Sequence, residues 1–314
     1  MQPVLTPEEM GAADRRAIAA GTPVEVLMDR AGKAVAWSIR RRLGRSAGLR
    51  VVIACGTGNN GGDGLVVDRV LRGWGARTDV FRVGEEIDDG ALARAMRRAD
   101  VVVDAMYGTG FRGELTGAAR AVRDAYAGFT GPVVAIDIPS GVDGLTGLAA
   151  GPAVAADWTV AFAARKPGLL FEPGRSLAGD LEVVDIGIAV DVPEAPARTW
   201  VTEAADVAVW LPARAGASHK WVSGVFVVGG SGGMTGAPTL ASHAAMRAGA
   251  GIVWCGVPGV DAAARASGSE VITRALPADG TGALAETAVE EVVAVADRFR
   301  ALALGPGLGR AAGT

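Results

Sequence analysis

Carboxylates and amides at the ends of apolar runs are the residues of this 314-residue chain best placed to do chemistry. The run at 101–103 ends in Asp104, and the run at 133–136 ends in Asp137. Glycine-rich segments follow each: Gly108, Thr109, Gly110, Phe111, Arg112, Gly113 and Glu114 after the first, Ser140 and Gly141 after the second. A third apolar run at 51–55 opens onto Gly56-Thr57-Gly58-Asn59-Asn60-Gly61-Gly62-Asp63-Gly64. A lone strand-end aspartate is as often a cap as a functional group. Three polar loops on neighbouring strand ends point instead to one shared pocket. The oxygens of Asn60, Asp104 and Ser140 could surround a cation, since hard cations take carbonyl, hydroxyl and carboxylate ligands. With a single full carboxylate on offer, a monovalent ion suits that set better than magnesium or calcium.

Elements that could position these groups follow from the periodicity. Leu65, Val66, Val67, Val70 and Leu71 recur with helical spacing, so residues 51–71 read as strand, tight loop, helix. The five glycines of the loop are expected to take positive φ and bring N–H groups close to a ligand, with the helix N-terminus favouring an anion. Further strands are expected at 79–83, 101–105, 132–138, 157–163 and 181–186, with helices at 89–98 and 116–127. Ahead of the first strand stand two helices. Thr6-Pro7-Glu8-Glu9 is a capping box, and Thr22-Pro23-Val24-Glu25 repeats the device. The second helix runs to Leu43, where Arg40, Arg41 and Arg42 read as last-turn cations and not as a phosphate site. Strands that are apolar throughout belong to a parallel sheet covered on both faces. The fold class is therefore α/β, a Rossmann-like doubly wound, mainly parallel sheet with ligands beyond the strand C-termini.

The composition excludes several classes. Half the residues are hydrophobic, 21% are charged and the net charge is −3 with no basic block, so nucleic acid is not an expected partner. No apolar run reaches the length of a membrane span, and the N-terminus lacks the pattern of a signal peptide. Cys55 and Cys255 each end a strand-like run and read as buried free thiols in a reducing compartment. A cytoplasmic location is expected, and a homo-oligomer stays compatible with all of this.

Gly56-Thr57-Gly58-Asn59-Asn60-Gly61 satisfies G-x-G-x-x-G, the fingerprint of an NAD-dependent dehydrogenase. That reading wants an acidic residue closing the second strand, yet Asp79 opens it, and Arg82 and Glu85 match loosely. A denser pattern favours another family. Gly-Asn-Asn-Gly-Gly-Asp-Gly at 58–64, Asp-Ala-Met-Tyr-Gly-Thr-Gly at 104–110 and Asp-Ile-Pro-Ser-Gly-Val-Asp-Gly at 137–144 resemble the NAD(P)H-hydrate epimerases, the YjeF N-terminal-like domain. Ala164-Arg165-Lys166-Pro167-Gly168 and Asp185-Ile186-Gly187-Ile188 extend the likeness, which covers residues 4–190. The resemblance implies that Asn59, Asn60, Gly61, Gly62, Asp63, the segment Gly108 to Glu114, and Asp137 contact the hydrated dinucleotide, NADHX or NADPHX. By the same token Asn60, Asp104 and Ser140 would hold potassium. Asp137 is the first choice for the acid–base group. Lys166 could hold a phosphate or act as a partner acid, or be a solvated lysine before a Pro-Gly turn. A nucleotide-binding regulatory or scaffold protein is the non-enzymatic alternative.

The linker at 193–198 separates an epimerase-like domain, 1–195, from a second domain, 199–314. There a strand at 225–228 leads into Gly229-Gly230-Ser231-Gly232-Gly233-Met234-Thr235-Gly236, which lacks the Lys-Ser/Thr pair of a Walker A loop. Ser218-His219-Lys220, Gly233-Met234-Thr235-Gly236-Ala237, residues 247–251 and Gly305-Pro306-Gly307-Leu308-Gly309 resemble the ribokinase-like NAD(P)H-hydrate dehydratases, which use ADP or ATP. The resemblance matches Ala237 and Gly307 to substrate-touching positions. His219 reads equally well as a cap or a ligand. The family's nucleotide-binding loop and Asn-Ala-Gly-Asp turn have no counterpart here, so an incomplete dehydratase half without ADP- or ATP-driven activity is expected.

Overall fold

The computed structural model describes residues 1–211, 218–260 and 270–309. Two compact units emerge, Met1–Trp210 and Leu211–Thr314.

The first unit begins with β1 (Gln2–Val4), α1 (Pro7–Ala19) and α2 (Val24–Leu43). Then come β2 (Arg50–Cys55), α3 (Asn59–Gly73), β3 (Arg77–Arg82), α4 (Asp89–Met96), β4 (Val101–Ala105) and α5 (Gly117–Ala127). It continues through β5 (Val133–Ile136), β6 (Trp158–Phe162), α6 (Gly174–Leu177), β7 (Asp180–Val184), β8 (Thr199–Val201) and α7 (Ala204–Trp210). Six strands form one sheet in the order β3-β2-β4-β5-β6-β7, every pair parallel. Alternate residues of β2 point to opposite faces. Val51, Ile53 and Cys55 enter a core with α1, α2 and α3, while Val52 and Ala54 enter the other with α5. Both faces are thus covered, which is why the strands are apolar throughout. The chain runs from β2 outward to β3, then back across to β4. That reversal opens a crevice at the carboxyl ends of β2 and β4, the place where such sheets bind ligands.

Two expectations need correcting. Thr6 does form the capping box with Glu9, but at the second helix Pro23 itself occupies the cap position and no side chain caps it. A short strand, β1, precedes the helices; its partner is β8, paired antiparallel and far away in sequence, so nothing local signals either strand. Both strands of this pair lie within the compact unit Met1–Trp210. The arginine cluster is structural: Arg41 pairs with Glu182, Arg42 lies 3.1 Å from Asp180, and Arg40 sits over Trp37 and Trp74. Both cysteines are free and buried.

In the second unit β9 (Gly224–Val228), α8 (Gly236–Arg247), β10 (Ile252–Pro258), β11 (Ile272–Leu276), α9 (Ala288–Ala296) and β12 (Ala301–Leu304) follow one another. Their four strands form a parallel sheet in the order β11-β10-β9-β12. β12 is an edge strand on which Leu302 and Leu304 are exposed. Among the described residues no helix is long and apolar enough to cross a membrane.

Candidate active site

The glycine-rich run after β2 is not an open loop. From Asn59 onward it is the first turn of α3, and Gly58 is the cap. None of Gly56, Gly58, Gly61, Gly62 and Gly64 has positive φ, contrary to the expectation. What the glycines provide is close approach. A Cβ on Gly61 would lie 1.9 Å from the Gly56 carbonyl oxygen, and one on Gly64 would lie 2.6 Å from Ala105 Cβ and 2.8 Å from Cys55 Sγ. On the outer side, a Cβ on Gly62 would meet Met28 Sδ at 2.5 Å, and Gly32 of α2 is pressed in the same way on Val66. The helix start is therefore clamped between the sheet end and α2. Gly61→Ala is expected to destabilise the protein by about 3 kcal/mol, since its methyl meets backbone that cannot move aside. Urea unfolding measures this, and an unchanged midpoint would contradict the close packing.

No side chain caps α3, so its first N–H groups remain available to an anion at the crevice. A cavity of about 620 Å³ opens there. Asn59, Asn60, Asp63, Gly108, Thr109, Gly110, Phe111, Arg112 and Asp137, all named from the sequence, line it. Gly61 and Gly62 do not, being used in packing, and Gly113 and Glu114 also lie outside the lining. Asn60 belongs to the turn of α3 and not to the strand end where the sequence pattern put it. Arg112 donates to the carbonyls of Thr109 (3.1 Å) and Phe111 (2.7 Å), and lies 3.3 Å from the Asp143 carboxylate. Its guanidinium thereby shapes the 108–112 loop while remaining half exposed.

Asp104 and Ser140 lie outside the cavity lining, both 0% exposed. Asp104 accepts from the Ser140 amide (2.7 Å), the Ser140 hydroxyl (2.6 Å) and the Met106 amide (3.2 Å), and Ser140 Oγ accepts from the Tyr107 amide at 2.9 Å. This network ties the loop after β4 to the loop after β5. Burial pushes the Asp104 carboxyl up to about 6 despite those hydrogen bonds. The Asn60 amide is buried, and its Nδ2 has no hydrogen-bond partner among the described residues. A half-turn of that amide would present its oxygen instead. An unassigned amide, a hydroxyl and one buried carboxylate are a fit for a monovalent cation.

Four titratable side chains, Lys166, Asp137, Asp63 and Asp14, line the same cavity. Lys166, 1% exposed, donates to Asp137 and to the Phe162 carbonyl at 2.9 Å. It is thus no solvated lysine, and among the described residues the carboxylate it contacts is the expected acid–base residue. Asp137 also accepts from the Phe162 amide at 3.2 Å and holds a left-handed backbone, φ 66°. Asp63 is pushed up to about 8 by burial first, then by the charges of Asp137 and Asp14. At neutral pH it keeps its proton. Asp14 of α1 is raised as well, by burial and then by Asp137, with Lys166 and Arg15 opposing.

Asp14 is the residue the sequence reading missed. Met10, Asp14 and Ile18 stand four apart on α1, and all three line the cavity, as do Val24, Leu27, Met28, Ile186 and Ile188. The signal was present: one carboxylate interrupts a stripe at i, i+4, i+8 that is otherwise apolar. Arg82 and Glu85, which a dehydrogenase fingerprint would need near the ligand, are absent from the lining.

In the second unit Ala237 and Gly307 are neighbours. A Cβ on Gly307 would lie 3.5 Å from that of Ala237, and Ser231 Oγ donates to the Gly307 carbonyl at 3.0 Å. His219 caps a short 3-10 turn, its Nδ1 accepting from the Trp221 amide at 3.5 Å.

Comparison with known proteins agrees with both halves. The family described as YjeF-related protein N-terminus matches residues 24–95 and 80–168, and the NAD(P)H-hydrate dehydratase family matches 225–314. Proteins named bifunctional NAD(P)H-hydrate repair enzyme Nnr are similar along nearly the whole chain. That of Moorella thermoacetica is 40% identical over 98% of this chain and 64% of its own length. Those of Thermanaerovibrio acidaminovorans and Salinibacter ruber are each 38% identical, over 98% and 99% of this chain and 65% of their own. This chain therefore spans just under two thirds of these relatives. The first unit thus carries a domain of the YjeF-related N-terminal family, and the second a segment of the NAD(P)H-hydrate dehydratase family.

Proposed function

We propose that the first unit is an NAD(P)H-hydrate epimerase, interconverting the R and S forms of NADHX and NADPHX. The observation that carries this reading is a single cavity at the switch point that unites Asn59, Asn60, Asp63, the 108–112 loop and the Asp137–Lys166 pair. The open start of α3 and Arg112 suit the pyrophosphate of a dinucleotide. The carboxylates of the same lining suit a ring that becomes cationic when hydroxide leaves, with the ring nitrogen lone pair assisting. Asp137 is assigned the proton transfer at that hydroxyl, and Lys166 holds its carboxylate in place. Asp63, neutral at pH 7, can donate a hydrogen bond to the ring's substituents.

Asn60, Asp104 and Ser140 are the residues that would hold potassium. The ion would supply positive charge beside the buried Asp104 and so order the loops that grip the substrate. The test incubates one purified hydrate epimer with the protein, in potassium and then in a large organic cation, and follows the epimer ratio by chromatography. Fast equilibration in potassium and weaker substrate binding without it are expected. An epimer ratio that moves no faster than in buffer would overturn the epimerase reading, and hydride transfer would favour a dehydrogenase. Full activity in potassium-free buffer would remove the ion alone.

A further inference from the structure

Epimerisation at a carbon that bears a hydroxyl has a geometric requirement that one acid–base group does not meet. If the oxygen leaves from one face of the ring and returns to the other, a proton must be delivered on the first face and removed on the second. Asp137, at the end of β5, serves one side. The cavity wall contributed by α1 is otherwise apolar, with Met10 and Ile18 one helical turn to either side of Asp14. Asp14 is half-buried, lines the same cavity, and is within electrostatic reach of both Asp137 and Lys166. Asn60 and Asp63 line the same cavity from the start of α3.

We propose that Asp14 is a second catalytic acid–base residue, acting on the hydrated ring from the α1 wall while Asp137 acts from the sheet end. The inference rests on the epimerase reading. In one direction a protonated carboxyl gives its proton to the departing hydroxyl, the C–O bond breaks, and water and a ring cation result. Water then adds to the other face, a C–O bond forms, and the opposite carboxylate takes the released proton. Atoms and charge balance, and the net change in the protein is one proton moved from one carboxyl to the other. The reverse reaction uses the same pair with roles exchanged. Asp63 and Lys166 face both groups and Arg15 flanks Asp14, so the charge on the pair depends on all five side chains. Burial and the neighbouring Asp137 carboxylate favour a protonated Asp14, the state the donor needs.

The experiment measures kcat, KM and the pH–rate profile of the wild type, Asp14→Asn and Asp14→Glu with purified epimers of NADPHX. Asp14→Asn is expected to lose about 10²-fold in kcat with little change in KM, and to lose one limb of the profile. Asp14→Glu keeps a carboxyl and is expected to recover part of the rate with a displaced limb. An asparagine variant near wild-type kcat, or with both limbs intact, overturns the proposal and leaves the epimerase reading standing. If Asp14→Asn does not fold, an Asp14→Glu profile that overlays the wild type overturns it equally. A wild type that does not speed epimerisation overturns both.

Discussion

Asp137→Asn is expected to lower the epimerisation rate by about 10²-fold or more while the protein still folds. The variant isolates the charge. Asparagine accepts a left-handed backbone more readily than most residues, so φ 66° is no obstacle. Its amide oxygen can still accept from the Phe162 amide and from Lys166, the two contacts the carboxylate makes. What is lost is the ability to give and take a proton at the substrate hydroxyl. The rate is read from epimer ratios separated by chromatography, with thermal melting as the control for folding. A variant that turns over at near the wild-type rate would move the proton transfer to another group.

A second large effect belongs to Asp63 and is seen without substrate. Burial raises its carboxyl to about 8, whereas in the unfolded chain it titrates near 4 like any aspartate. Between those values the folded protein keeps the proton and the unfolded chain releases it. Raising the pH therefore favours unfolding, by about 1.4 kcal/mol per pH unit from this group, with no effect below pH ~4 and none beyond pH ~8. Asp14 acts in the same sense, since its carboxyl is also raised. Urea unfolding from pH 5 to 7 should show the loss in the wild type and a flatter dependence in Asp63→Asn, which should also be the more stable protein at pH 7. Parallel slopes for the two proteins would contradict the raised carboxyl.

Much of this architecture was legible because parallel strands buried on both faces have to be continuous apolar runs. The strand at 101–105 matches β4 throughout, and the others shift by a few residues at their ends. The strands β1 and β8 were illegible for the opposite reason. Each is three residues long and is held only by its distant partner. At the site, the carboxylates Asp104 and Asp137 stood out because they end apolar runs. The glycines stood out too, but their purpose was misread. A glycine needed for positive φ and a glycine needed to let a helix touch a sheet look alike in sequence, and only the neighbouring atoms distinguish them. Lys166 was ambiguous because its partner, Asp137, lies on another strand end. Asp14 was hidden in a helix that reads as ordinary packing until the cavity shows which of its faces is wet.

The left-handed backbone at Asp137 and the buried cation beside it set a barrier to the decay of this site by mutation. A glycine at 137 would relieve about 1 kcal/mol of steric strain. It would also strand the Lys166 ammonium, 1% exposed, without its carboxylate, at a penalty of about 3 kcal/mol. Losing the lysine first leaves the aspartate with the strain and without the compensating charge. Either single step lowers the fitness of the fold itself, quite apart from any chemistry. A lineage that no longer needed the activity would therefore meet a stability cost at the first change in either residue.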